Sequence, residues 1–193
     1  YNEDLTQFKL WYSQAGTPEV ECSSDYDATK KIYRLTFKQN IPATPGQPIK
    51  KPMHIPIALG LMDRDGNDII ETKILDLKEQ EQVFKFENIK TKPIPSILRN
   101  FSAPIKLTTN LTEDDLKFLM IHDSDGFNRW EAGQNFYLKI IIDLIDNSSN
   151  EVPDLFFEAI DDLLRQAENG AQDLALLARA LTLPDISIIG QSK

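Results

Sequence analysis

Cysteine and long apolar runs are nearly absent from this chain of 193 residues. The single cysteine, Cys22, cannot form a disulfide within the chain, which excludes a disulfide-stabilised secreted scaffold. Cys22 has no cation beside it, so we expect a half-buried strand position rather than a reactive thiol. No window approaches the roughly 18 apolar residues of a membrane helix, and no initiator methionine or signal-type segment is present. We therefore expect a globular piece of a longer protein.

Basic residues are scarce in the second part of the chain. Up to residue 108 there are 15 Lys and Arg against 14 Asp and Glu, whereas residues 109–193 contain 6 against 16. The shift coincides with a change from strand-like to helix-like patterns, so it predicts two domains, 1–108 and 109–193. An acidic helical domain argues against a nucleic-acid partner, because phosphate binding needs clustered Lys and Arg.

The first predicted domain has the alternation and turn signals of short β-strands. Residues 30–39 place Tyr33, Leu35 and Phe37 on one face, which we expect to be buried. An Asp-Gly pair within 63–67 indicates a hairpin turn. The predicted strands are 18–24, 30–39, 53–62, 67–72, 82–89, 94–101 and 103–107. Six or seven short strands at this spacing predict an immunoglobulin-like β-sandwich.

From residue 111 onward the apolar residues recur at helical spacing. Thr112 followed by three acids is a typical helix start, with a hydroxyl cap and negative charge at the positive end of the helix dipole. The predicted helices run from there to about 122, over 127–146, from Pro153 to 169–170, and from 174 to just before Pro184. Successive helices joined by short loops predict an all-α array, the start of an α-solenoid.

Residue types that carry catalysis or bind metals are few and scattered. His54 and His122 are far apart in sequence, and neither belongs to a His-Glu-x-x-His motif, so strand-surface and helix-end positions explain them better. The acidic turns around Gly66 and Gly126 fail as calcium loops because an apolar residue stands at the first ligand position. Nucleophile, phosphate-loop and dinucleotide motifs are also missing. We therefore predict no catalytic and no metal-binding residues in this chain.

An adjacent aromatic pair, Trp11 and Tyr12, precedes the first predicted strand. The pair would dock onto a neighbouring domain, or it would tuck beneath the sandwich, and the sequence leaves both arrangements open. The first arrangement makes Trp11 and Tyr12 the candidate interdomain contacts of the chain.

Several segments of the chain together carry a family resemblance. The most informative is 7–19, with the sequence QFKLWYSQAGTPE. The others, in order, are 25–27, 42–45, 51–56, 101–107, 116–120, 127–131 and 181–184. The matches cover about residues 7–184 and are specific in combination rather than singly. Together they resemble the bacterial aminopeptidase N family, a family of zinc metallopeptidases.

The resemblance implies a parent protein with four parts: an N-terminal β-domain, a thermolysin-like catalytic domain, a small β-sandwich and a C-terminal helical domain. This chain corresponds to the sandwich and the first helices. The family's His-Glu-x-x-His and Gly-x-Met-x-Asn motifs have no match here, so the resemblance assigns zinc to the parent's catalytic domain and none to this chain. The implied partners are that catalytic domain and, for the parent, peptide substrates, with no nucleic acid and no membrane.

The function implied by the resemblance is that of a non-catalytic spacer between the catalytic domain and the helical cap. The parent would remove N-terminal amino acids from peptides in the bacterial cytoplasm, and this chain alone is expected to be inactive. Its truncated helical end would leave an apolar face that offers a surface for oligomers. The alternative is a stand-alone β-sandwich module that binds a peptide or carbohydrate, which should have a complete, capped fold.

Overall fold

The structure, a computed structural model, describes residues 4–147, 151–170 and 173–191. They form two compact units that divide between Asn110 and Leu111. The boundary predicted after residue 108 lies just before that division. Each unit is described by itself.

The first unit is a two-sheet β-sandwich preceded by a short helix. Its described elements are α1 (Leu10–Ser13), β1 (Glu19–Asp27), β2 (Ile32–Asn40), β3 (Ile55–Met62), β4 (Asp68–Leu77), β5 (Glu81–Phe86), β6 (Ile94–Ile97), a 3₁₀ turn (Arg99–Phe101) and β7 (Lys106–Thr109). One sheet has the order β5-β2-β1-β7 and the other β4-β3-β6. Neighbouring strands are antiparallel except for β1 and β7. This architecture confirms the predicted immunoglobulin-like sandwich.

One apolar core joins the two sheets. It includes the residues that alternation placed on the inner face of β2: Tyr33, Leu35 and Phe37. The buried amide of Gln39 on this strand bonds the backbone of two segments that flank the other sheet, one just before β3 and one just after β4. Its Nε2 donates to the carbonyls of Met53 and Glu79 at 2.9 Å, and its Oε1 accepts from the Met53 amide at 2.8 Å. Both polar atoms of this buried amide are therefore paired, as burial of a polar group requires.

Five strand predictions are wrong in extent, and α1 was not predicted. β1 ends at Asp27 rather than at 24, and β5 ends at Phe86 rather than at 89. β4 runs on to Leu77 instead of ending at 72. Irregularities opposite residues 59–62 of β3 shift the register of the pair, and the pairing then continues until Leu77 lies opposite Ile55. The strand predicted over 94–101 ends at Ile97, because Leu98 has a φ of 65° and the chain turns out of the sheet. The last strand begins at Lys106 rather than 103, and it pairs with β1.

The second unit is helical throughout its described part. Its helices are α2 (Glu113–His122), α3 (Gly126–Asp146), α4 (Asp154–Glu168), α5 (Leu174–Ala180) and α6 (Ile186–Gln191). Thr112 caps α2 as predicted: its Oγ1 accepts from the Asp115 amide at 3.2 Å, and the Asp115 carboxylate accepts from the Thr112 amide at 3.3 Å. Helix α6 was not predicted, and most of the loop predicted over 147–150 lies outside the described residues.

The helices pack through aromatic and small residues of α3. Phe136 and Tyr137 are fully buried, and the Tyr137 hydroxyl donates to the Ala180 carbonyl of α5 at 2.8 Å. A Cβ on Gly133 would lie 3.0 Å from the Met120 sulfur of α2, so glycine permits this close approach. These contacts confirm a helical array built on a continuous core.

Candidate functional surfaces

The two histidines lie in separate units and have structural partners. His54 precedes β3, where its Nε2 is 2.7 Å from Asp76 Oδ1 and its ring meets Phe8 edge-on at 5.8 Å. His122 ends α2 and stacks on Phe118 with the ring centroids 4.7 Å apart. Burial of this half-exposed ring lowers the pKa of His122, so the imidazole is expected to be neutral at pH 7.

The carboxylates of the two acidic turns hold backbone amides. Asp63 Oδ1 accepts from the amides of Asp65 at 3.0 Å and Asn67 at 2.9 Å, and the bond from Asn67 is the main cause that lowers the pKa of Asp63. Asp125 Oδ1 accepts from the Asn128 amide at 2.9 Å and caps α3. Among the described residues, no group of three or more His, Cys, Asp or Glu side chains could hold a metal ion. The described residues of this chain therefore do not fit as a binding site for the zinc that the resemblance assigns to the parent.

Cys22 lies on β1 with its thiol in the sandwich core, where it is 4% exposed. Burial raises the pKa of the thiol from 9.0 to about 12. A shielded, protonated thiol is a poor nucleophile and a poor metal ligand. The strand position is as expected, but Cys22 is fully buried rather than half-buried.

Residues 5–15, which include α1, form a strap that lies against the loop 41–54. The inner side of this strap bonds the loop backbone through side chains of Gln7, Trp11 and Gln14. Gln7 Nε2 donates to the carbonyl of Pro52 at 3.1 Å. Trp11 Nε1 donates to the carbonyl of His54 at 2.8 Å. Gln14 exchanges two bonds with the Lys51 backbone, at 2.9 and 2.7 Å.

The loop bonds back to the end of the strap. Gln47 accepts from the Ala15 amide and donates to the Ser13 carbonyl, both at 2.8 Å. Lys50 Nζ donates to the Ala15 carbonyl at 2.7 Å. The strap and the loop therefore form one hydrogen-bonded platform without regular sheet structure.

The two residues of the predicted aromatic pair have different environments on this platform. Trp11 packs against the sandwich core, whereas Tyr12 is 87% exposed. An interdomain contact stays a prediction for both residues, and Tyr12 presents the exposed ring.

A buried ion pair that the sequence did not predict lies on the β4-β3-β6 sheet. Arg99 is 3% exposed. Its Nη1 lies 2.7 Å from Asp68 Oδ2 and its Nη2 lies 2.6 Å from Asp68 Oδ1, which is a bidentate pair. Two hydroxyls also accept from the guanidinium, Ser96 Oγ at 2.8 Å and Thr72 Oγ1 at 3.0 Å.

Gly60 makes the space for this guanidinium. A Cβ at Gly60 would stand 2.2 Å from Arg99 Cζ. The sequence carries the corresponding signal, because a glycine inside a strand often marks the close approach of another group. It does not say which group approaches, so Arg99 could not be inferred from the glycine alone.

Large apolar side chains are exposed along the last three helices. The residues are Phe157, Leu164, Leu174, Leu176, Ile186 and Ile188, with exposures between 44% and 84%. Helix α4 also makes an ion pair with α2, in which Lys117 Nζ lies 2.8 Å from Glu158 Oε2. Within the part of the chain that the structure describes, no helix has the length and apolar character needed to cross a membrane.

Two family models match the chain. A domain of unknown function with an Ig-like fold (DUF3458) matches residues 16–110, and one with ARM repeats (DUF3458_C) matches residues 113–193. Together they describe a sandwich followed by a helical repeat, as the structure shows.

The similar proteins of known name are peptidases. Aminopeptidase N of Escherichia coli (strain K12) is 36% identical over 194 residues, which cover 96% of this chain and 22% of that protein. Aminopeptidase N of Caulobacter vibrioides is 39% identical over 181 residues, covering 94% of this chain and 21% of that protein. The crystal structure of Legionella pneumophila aminopeptidase A in complex with aspartic acid matches with a TM-score of 0.84 and 31% identity, covering 99% of this chain and 21% of that one.

These matches first define a class of protein. Its members are large peptidases in which an Ig-like sandwich is joined to ARM repeats. The chain belongs to the aminopeptidase N family. It spans about a fifth of the length of the curated relatives it matches. The resemblance noted from the segments 7–184 is thus confirmed.

Proposed function

We propose that this chain is a non-catalytic part of a zinc-dependent aminopeptidase that removes N-terminal amino acids from peptides. The observation that carries the proposal is the match to aminopeptidase N over nearly the whole chain and only 22% of the E. coli protein. The acidic turns offer further support, because their carboxylates accept bonds from backbone amides and cap a helix. The chemistry of the parent would then belong to its other parts.

The role of the chain in the parent is that of a spacer between the catalytic domain and the helical cap. A spacer must be rigid, and two features of the sandwich suit this requirement. The bonds of Gln39 join β2 to the segments that flank the other sheet, and the platform holds the strap against the loop 41–54. The catalytic domain of the same polypeptide is the proposed partner, and peptides are the parent's substrates.

Zinc, location and assembly complete the proposal. Zinc binds in the parent's catalytic domain, where it polarises the scissile carbonyl and activates water. The parent works in the bacterial cytoplasm, away from nucleic acid and membranes. The apolar side chains exposed on α4 to α6 are covered by further helices of the same polypeptide, or by an oligomer when they are missing.

The stand-alone binding module is the weaker hypothesis. A self-contained module would cover its apolar surface, whereas Leu174 is 65% exposed and Ile186 84% exposed in this chain. These exposures support the peptidase part over the module.

The proposal is tested by measuring zinc in two purified proteins. The full polypeptide that contains this chain should hold one zinc per molecule, and the 193-residue chain should hold none after desalting. Replacing a turn carboxylate, as in Asp63→Asn, should leave the zinc content of the full polypeptide unchanged. A full polypeptide without zinc, or a stoichiometric zinc in this chain, would refute the proposal.

A further inference from the structure

We infer that strand β5 is a contact surface for a second copy of this chain, whose own β5 adds to the same sheet in the antiparallel direction. The two strands would pair about a two-fold axis at Val83. The surface belongs to the first unit, whereas the apolar side chains exposed on α4 to α6 belong to the second. The inference therefore goes beyond the proposed function, and it does not depend on the activity of the parent.

Strand β5 is an open and regular edge of its sheet. The order β5-β2-β1-β7 places it at one end, and it pairs with β2 over six residue pairs without a register shift. The other edges suit a further strand less well. The pairing of β4 has register shifts, β6 has four residues of which one is proline, and β7 has four residues. A regular edge is the one that offers a row of backbone groups to another strand.

The backbone of β5 presents alternate residues to the open side. The amide of Gln39 on β2 donates to the carbonyl of Gln80 at 2.9 Å. Because an antiparallel ladder alternates, every second residue counted from Gln80 bonds toward β2, and Glu81, Val83 and Lys85 point their amides and carbonyls away from it. In the described part of the chain, no backbone hydrogen bond occupies these outward groups. A strand that faces them would exchange two bonds with each residue.

The side chains of the same residues share the outer face of the sheet. Phe86 lies in the core and Phe84 packs against it, so the residues between and before them point outward. The side chains of Glu81 and Lys85 are 56% and 47% exposed, and Val83 is 54% exposed. An acid, an apolar residue and a base thus follow one another along the open edge.

This order of side chains complements itself when the strand is reversed. Val83 would face the Val83 of the second copy, and Glu81 would face its Lys85 in both halves of the contact. Opposite charges directly across an antiparallel pair stabilise it, and like charges destabilise it. Within the sheet, Glu81 lies opposite Lys38, and Lys85 lies opposite Arg34. The second copy would therefore bring a carboxylate to the side where two cations are neighbours.

The charges also make the edge selective. A lysine on an edge strand discourages pairing with strands that cannot match its charge, whereas a second copy places Glu81 against it. The present partners of these residues are solvent-exposed: Lys85 Nζ lies 2.6 Å from Glu87 Oε1, and Lys38 Nζ lies 3.4 Å from Glu81 Oε2. Exposed ion pairs contribute little stability, so they do not hold the side chains back from a new partner. One strand pair is a small interface, and the expected product is a weak, reversible dimer.

Sedimentation velocity of the 193-residue chain and of two charge-reversed variants tests the inference. Glu81→Lys makes positions 81 and 85 both basic, and Lys85→Glu makes both acidic. Each variant alone should dimerise at least about tenfold more weakly than the unaltered chain, because two attractive cross-strand pairs become repulsive. An equimolar mixture of the two variants should dimerise again, since every pair across the axis then has opposite charges. The matched control, Lys106→Glu on β7 at the other edge of the sheet, should dimerise like the unaltered chain.

The mixture identifies the residues that meet. Recovery of the dimer requires that positions 81 and 85 face each other in two copies, and it also shows that both variants are folded. An unaltered chain that stays monomeric at millimolar concentration would overturn the inference. So would a mixture that stays monomeric although both variants have the native circular dichroism spectrum. A dimer that survives both reversals and is lost in Leu174→Ser would assign the contact to the helices and overturn it as well.

Discussion

Gly60→Ala is the substitution for which the structure predicts the largest effect from a single added carbon. The new Cβ would lie 2.2 Å from Cζ and 2.3 Å from Nη1 of Arg99, far inside van der Waals contact. The guanidinium ends a flexible side chain and would move aside. It is 3% exposed and bonded in a bidentate pair, however, so moving it separates Arg99 from Asp68.

The cost of that separation sets the expected magnitude. Breaking a buried ion pair costs roughly 3–5 kcal/mol, because a charge is left without its partner. Asp68 keeps 26% of its side chain exposed, so solvent can stabilise its carboxylate, and we expect the lower end, about 3 kcal/mol of unfolding free energy. Urea unfolding followed by Trp11 fluorescence, in a Trp130→Phe background, measures the sandwich unit.

A double-mutant cycle checks that the loss arises at the ion pair. Arg99→Ala should cost a similar amount by itself, because it leaves Asp68 unpaired. Adding Gly60→Ala to that variant should then cost less than about 1 kcal/mol, since the clashing group is gone. A loss below about 1 kcal/mol for Gly60→Ala alone, or strict additivity, would refute the reasoning.

Further predictions concern three other sites of the chain. Cys22 should react with iodoacetamide at pH 8 about a thousandfold more slowly in the folded than in the unfolded chain, because a pKa of about 12 against 9.0 leaves that much less thiolate. For the same reason the thiol lowers folding stability as pH rises above 9.0, where only the unfolded thiol ionises, and a flat stability curve there would contradict this. Thr112→Ala should destabilise the helical unit by about 1 kcal/mol in urea unfolding while Thr112→Ser is nearly neutral, and equal losses would contradict the cap. Tyr137→Phe should cost about 1–2 kcal/mol, because the buried Ala180 carbonyl loses its donor; no loss would contradict that bond.

Patterns that depend on local spacing predicted much of the fold. The period of two in β2 identified Tyr33, Leu35 and Phe37 as core residues, because alternate side chains of a strand point to one face. The start of α2 was readable for a similar reason: a hydroxyl cap and the acids after it act within one turn of the chain. Both signals are local, so no knowledge of the rest of the fold was needed.

Features that depend on contacts distant in sequence were not predicted. The strand over 94–101 looked continuous, yet it ends at Ile97, where Leu98 turns the chain with a φ of 65°. The residue that follows the turn, Arg99, bonds Asp68, which lies 31 positions away. The strap has no strong helical pattern of its own, and bonds to residues 32 to 71 positions further along the chain hold it. The aromatic pair could be noticed in the sequence, but only those bonds show that Trp11 faces inward and Tyr12 outward.

The most direct test of the account is turnover of an aminoacyl chromogenic substrate by the purified 193-residue chain and by the full polypeptide that contains it. The account predicts that the full polypeptide releases the amino acid in a reaction that a chelator abolishes. It predicts no turnover above the buffer blank for the chain alone, with or without added zinc. Chelator-sensitive turnover by the chain alone, or none by the full polypeptide loaded with zinc, would contradict it.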